Sequence, residues 1–73
     1  MYPVVNITCS ERNITQKADV LEYRPDRIRV VVQGTSIAIN LKQQDGHYVG
    51  QQAGLEFVCL STYNDIADQA DPR

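Results

Sequence analysis

The sequence predicts an all-β domain: a small antiparallel meander of five or six strands, curled into a barrel or a strongly twisted sheet and followed by an acidic, flexible C-terminal tail. Three observations predict it. Apolar and polar residues alternate with period two through much of the span from Val20 to Leu60, turn-forming residues recur every seven to twelve positions, and no stretch of ten or more residues carries a convincing 3.6-residue period. At 73 residues the chain is too short for two packed sheets. Curling one sheet is the economical way to bury one face and hide the edges.

The elements follow in chain order. Val5, Ile7 and Cys9 alternate with Val4, Asn6 and Thr8, which makes residues 3–9 a first strand. Residues 10–17 are polar and read as a loop or a strand extension. Residues 18–23 form a short strand with Leu21 and Tyr23 on one face and Glu22 on the other, and Arg24-Pro25-Asp26 ends it as a turn because proline pre-sets φ and cannot donate to a ladder. The clearest pattern is residues 27–41: Ile28, Val30 and Val32 alternate with Arg27, Arg29 and Val31, and after a turn at Gly34 the residues Ile37, Ile39 and Leu41 alternate with Ser36, Ala38 and Asn40. β-Branched side chains are stiff at χ1 and suit a pleated surface, so propensity agrees with period. Asp45-Gly46 marks the next tight turn, before a strand containing Tyr48. Residues 50–54, with a glycine at each end, read as a compact loop or bulged corner, and Leu55, Phe57 and Cys59 open the last strand.

This assigns a single barrel domain to residues 1–62 and a tail to residues 63–73. The expected inward set is Val5, Ile7, Leu21, Tyr23, Ile28, Val30, Val32, Ile37, Ile39, Leu41, Tyr48, Leu55, Phe57 and Cys59. The tail offers only Ile66 as a sizeable apolar group, so removing residues 65–73 is expected to change stability by less than about 1 kcal/mol. The nearest architectural resemblance is to SH3-like and other small barrels, and such a fold does not by itself assign a function.

Composition bounds the chemistry. The net charge is −2, but Asp65, Asp68, Asp71 and Arg73 lie in the last nine residues, and residues 1–64 are neutral. A protein living off the phosphate backbone normally carries a surplus of cations, which disfavours nucleic acid as the main partner. No apolar run is long enough to span a bilayer, and the N-terminus lacks the basic and apolar regions of a signal peptide, so a soluble cytoplasmic protein without a membrane partner is expected. Cys9 and Cys59 are too few for a disulfide scaffold and are expected to be reduced.

No constellation for catalysis emerges. His47, the one histidine, sits beside the Asp45-Gly46 turn, and with Cys9 and Cys59 it lacks the spacing of a zinc site. The four glycines form neither a dinucleotide fingerprint nor a phosphate loop. Asn6-Ile7-Thr8 and Asn13-Ile14-Thr15 match the glycosylation pattern, which acts only in a secreted chain. Neither enzymatic activity, a metal nor a cofactor is therefore expected.

Two surfaces remain. Arg24, Arg27 and Arg29 cluster around Pro25 with Tyr23 adjacent, pairing cations for phosphates with a ring for stacking, although Glu22 and Asp26 neutralise part of the cluster. Val4, Val20, Val31, Val58 and Leu60 fall on the face opposite the expected core, where a patch for a partner would lie. The reading is a non-enzymatic binding module for a protein partner or a second copy, with Tyr23, Arg24, Arg27, Arg29, Val31 and Val58 as candidate contacts. The alternative is a nucleic-acid-binding barrel using the hairpin of residues 23–29.

Overall fold

The structure, a computed structural model, describes residues 2–70. Six strands and one helix are present among them: β1 (Val4–Cys9), β2 (Ile14–Tyr23), β3 (Arg27–Val32), β4 (Ala38–Gln44), β5 (His47–Gln52), β6 (Leu55–Cys59) and α1 (Tyr63–Ala70). The strands pair antiparallel in sequence order and close into a barrel through β1 and β6. The expected all-β meander is therefore a closed barrel, in which every strand is paired on both sides for at least part of its length.

The turns explain the order. Asp45 and Gly46 both have positive φ, 52° and 85°, and so do Ala53 and Gly54, at 55° and 78°. Two successive positive-φ residues twist a two-residue hairpin in the sense that the strands require. Gly50 is different, since it lies within β5. A side chain there would overlap the Asn40 carbonyl oxygen and come within 2.7 Å of Leu41 Cδ2, so only glycine lets β5 pass this close to β4. The expected loop at residues 50–54 is thus a strand end plus a two-residue turn.

The interior holds Val5, Ile7, Cys9, Ala18, Val20, Ile28, Val30, Val32, Ile39, Leu41, Tyr48, Cys59 and Ile66, and no buried polar residue among those described. Most of these follow the alternation read from the sequence. Leu21 does not, and is exposed. The ladder between β2 and β3 pairs Val20 with Val30 but Glu22 with Arg29, so Leu21 is an extra residue that flips the parity of β2. Ala18 and Val20 therefore point inward before the bulge and Tyr23 after it, which removes Val20 from the outward set. Residues 14–17, expected to be a loop or a strand extension, begin the ten-residue β2.

Ile37 also departs from expectation. It lies in the β3–β4 loop rather than in a strand, with its N–H donating to Thr35 Oγ1 at 3.1 Å, and it is half exposed. Thr35 Oγ1 in turn donates to the Val32 carbonyl at 2.9 Å, locking the loop.

The largest correction concerns the tail. Residues 63–70 form α1, which packs across one end of the barrel with Ile66 fully buried. Thr62 and Asp65 cap it reciprocally: Thr62 Oγ1 accepts from the Asp65 N–H at 3.2 Å, and Asp65 Oδ2 accepts from the Thr62 N–H at 3.0 Å. Gln69 then ties the helix to β1, with Oε1 accepting from the Val4 N–H and Nε2 donating to the Val4 carbonyl, both at 2.9 Å. Residues 71–73 of the expected tail lie outside the described residues. Among the described residues no helix is long and apolar enough to cross a membrane.

Candidate functional site

The outer face of β2, β3 and β4 gathers the cations. Cross-strand register places Glu22, Arg29 and Asn40 in one row, Arg27 beside Lys42 in the next, and Asp19, Val31 and Ala38 in the row on the other side. Between them lies a groove of about 390 Å³ lined by Glu22, Arg27, Ile28, Arg29, Asn40, Leu41 and Lys42. The tight β3–β4 pairing forces this convergence.

Charge within the face is unevenly matched. Arg24 Nε donates to Glu22 Oε1 at 3.0 Å, in a pair whose side chains are both more than half exposed. The Arg24 hydrogen bond, and next the charge of Arg24, hold the Glu22 carboxyl below the usual glutamate range, with Arg27 and Arg29 adding smaller pulls. Among the described residues Arg27, Arg29 and Lys42 make no ion pair of their own. The groove therefore presents three cations and one acid already engaged by a fourth.

The sequence-derived site residues separate. Arg27, Arg29 and Val31 share this face, and Arg24 stands at its edge holding Glu22. Tyr23 does not line the groove: it packs against the core, its ring centroid 5.9 Å from that of Tyr63 at 47°. Val58 lies between Thr8 and Val49, on a strand three places from β3 in either direction around the barrel. Val31 and Val58 are thus on opposite sides, and with Val20 buried the outward valines form no common patch. Lys42 and Asn40 were missed. Folding residues 27–42 about the turn at residues 33–37 sets Lys42 opposite Arg27 and Asn40 opposite Arg29, so the signal was present in the strand register.

Elsewhere, Cys9 and Cys59 are buried free cysteines on adjacent strands, Cys9 opposite Phe57 and Cys59 opposite Ile7. Burial pushes the Cys59 thiol above its ordinary range. A nucleophile needs the reverse.

No protein-family model matches the chain, and neither a curated protein nor a solved structure resembles it at a significant level.

Proposed function

We propose that this chain is a small, SH3-like, non-enzymatic binding module whose partner is a protein, and that it takes an acidic segment of that partner along the groove of Arg27, Arg29 and Lys42. The observation that carries the reading is the convergence of three cations lacking ion-pair partners among the described residues on one grooved face, with Val31 beside them. Arginine forks suit carboxylates bidentately, and an apolar neighbour lets such a contact exclude water. Phosphates suit the same cations, but a single-strand platform also needs a free ring, and Tyr23 is engaged with Tyr63. That weighs for protein over nucleic acid. Two buried thiols suit a reducing compartment, so the cytoplasm is the location we propose.

The test titrates the protein at physiological salt with an acidic peptide of alternating Glu and Leu and, separately, with a single-stranded oligonucleotide. The peptide is expected to bind, and Arg27→Ala and Lys42→Ala are each expected to weaken it about fivefold. Tighter binding of the oligonucleotide, with a salt slope that Arg27→Ala makes shallower by about one unit, overturns the protein reading in favour of nucleic acid. Sedimentation over a range of concentrations measures self-association directly, the acidic face of α1 being the segment a second copy would offer.

A further inference from the structure

The two ends of the barrel are finished differently. At one end Ile66 and Tyr63 of α1 pack on the core beside Tyr23. At the other, the strands part. The β4–β5 ladder runs only from Gln44↔His47 to Lys42↔Val49, although β4 begins at Ala38 and β5 continues to Gln52 paired with β6 alone. Where they separate lies a cleft of about 270 Å³ whose walls are Val32, Ile37 and Ile39 on one side and Ala53, Leu55 and Phe57 on the other. Ile37, Leu55 and Phe57 are all partly exposed there, whereas Val32 and Ile39 are buried.

Three features define what fits. Among the described residues no Lys, Arg, Asp or Glu lines the cleft, and the polar lining they give it is confined to Thr35 and the amides of Gln16 and Gln52. A charged occupant would lose hydration there without gaining a partner. The hydroxyl of Thr35 is already used within its loop, whereas the side chains of Gln16 and Gln52 make no hydrogen bond among the described residues. Size sets the second limit. A stable protein interface removes roughly 800 Å² from each partner, more than such a cleft supplies, whereas an apolar cavity of about 150 Å³ takes one benzene. The third feature is rigidity: the Thr35 bonds fix Ile37 as one wall, and the tight turn at Ala53 and Gly54 fixes the other. A site already open in the free protein loses little entropy on binding.

We infer that the open mouth of the barrel is a binding site for an uncharged, mainly apolar small molecule of on the order of ten non-hydrogen atoms, carrying one polar group for the Gln16 or Gln52 amide. Barrel mouths are among the usual places for such sites. This site lies apart from the cationic groove and does not depend on the function proposed for it.

Indole is a probe of this size with one N–H donor, and benzoate is its charged counterpart. Titrating indole into ¹⁵N-labelled protein is expected to give saturable shifts confined to residues 32–39, 52–57 and 16, while benzoate leaves them in place. Ile37→Asp, at a half-exposed loop position, is expected to keep the dispersed spectrum and weaken indole at least tenfold. Gln52→Ala, in case Ile37→Asp disturbs the loop, is expected to weaken it about threefold. Shifts that fail to saturate, that spread to Leu21 and Leu60, or that benzoate reproduces would overturn the site.

Discussion

At the residue scale the fold turns on a few positions where backbone and side chain leave no slack. Gly50 is one. Any side chain there meets the Asn40 backbone and Leu41, so Gly50→Ala is expected to cost roughly 2–3 kcal/mol, measured by urea unfolding. An unchanged midpoint would mean that β5 does not press on β4 at this point. Ala53 is the opposite case, a non-glycine residue held at φ 55° in a turn that favours Asn-Gly. Ala53→Asn is therefore expected to stabilise by about 0.5–1 kcal/mol in the same measurement. Tyr48 is buried, with its hydroxyl donating to the Arg24 carbonyl at 3.0 Å, and burial raises its phenol above the ordinary range. It ties β5 to the turn between β2 and β3, close to the base of the cationic face. The same scale shows what alternation cannot reveal. Leu21 and Val20 exchange faces because of one inserted residue, and a bulge leaves no mark in hydrophobicity when both residues are aliphatic.

At the scale of elements, the helix is the part that period and composition concealed. Its mean character is polar, its length is eight residues, and its acids resemble those of a solvated tail. Yet Thr62-Tyr63-Asn64-Asp65 carries the spacing of a capping box, and Tyr63, Ile66, Ala67 and Ala70 fall on one stripe. The strands were legible because each buries a face and must alternate; a one-face helix anchored by a single isoleucine offers too few apolar positions to show a period. Its contribution is large all the same. Ile66→Ala is expected to cost about 2–4 kcal/mol, since the side chain is fully buried in the main cluster, and removing residues 65–73 is expected to cost at least as much rather than less than about 1 kcal/mol. A second local device closes the other end of the seam: Glu11 Oε2 accepts from the Glu56 N–H at 3.0 Å, and that backbone bond is the main cause holding the Glu11 carboxyl below its ordinary range. A carboxyl lowered on folding stabilises the native state above its unfolded pKa, and that contribution disappears as pH falls through the folded value. The melting temperature of the wild type is therefore expected to exceed that of Glu11→Gln at pH 7, and the difference to shrink once pH falls below the ordinary glutamate range and to vanish only below the lowered folded value. A gap that persists in acid would assign the effect to packing.

At the scale of the whole molecule, closure is the weak step. β1 meets β6 over three residue pairs, Ile7 with Cys59, Thr8 with Val58 and Cys9 with Phe57, continued by the Ser10 N–H bond to the Glu56 carbonyl at 3.0 Å and by Glu11. The other neighbouring pairs are joined by a hairpin turn, but this one joins the ends of the meander across most of the sequence, so its loop-closure entropy is the largest in the sheet. The sequence could indicate that a curled sheet hides its edges, but not which residues meet at the seam, because that register depends on the bulge in β2 and on the coiling of β5 at Gly50. Both cysteines stand at this seam, which makes their chemistry a reporter of it. Cys59 is fully buried, and burial raises its thiol, so a thiolate reagent reaches it only when β6 leaves β1 or β5. Native labelling with a disulfide reagent is therefore expected to be slow and to report two thiols once the chain is denatured. Glu11→Gln is expected to speed native labelling by loosening the clamp on β6, and Ile66→Ala to speed it in proportion to its loss of global stability. If Cys59 reacts natively at the rate of a free thiol, the barrel stands open between β1 and β6 and the closure described here is wrong. If Glu11→Gln speeds labelling only in proportion to its loss of global stability, the seam does not open locally, and closure is part of one cooperative unit with the rest of the barrel.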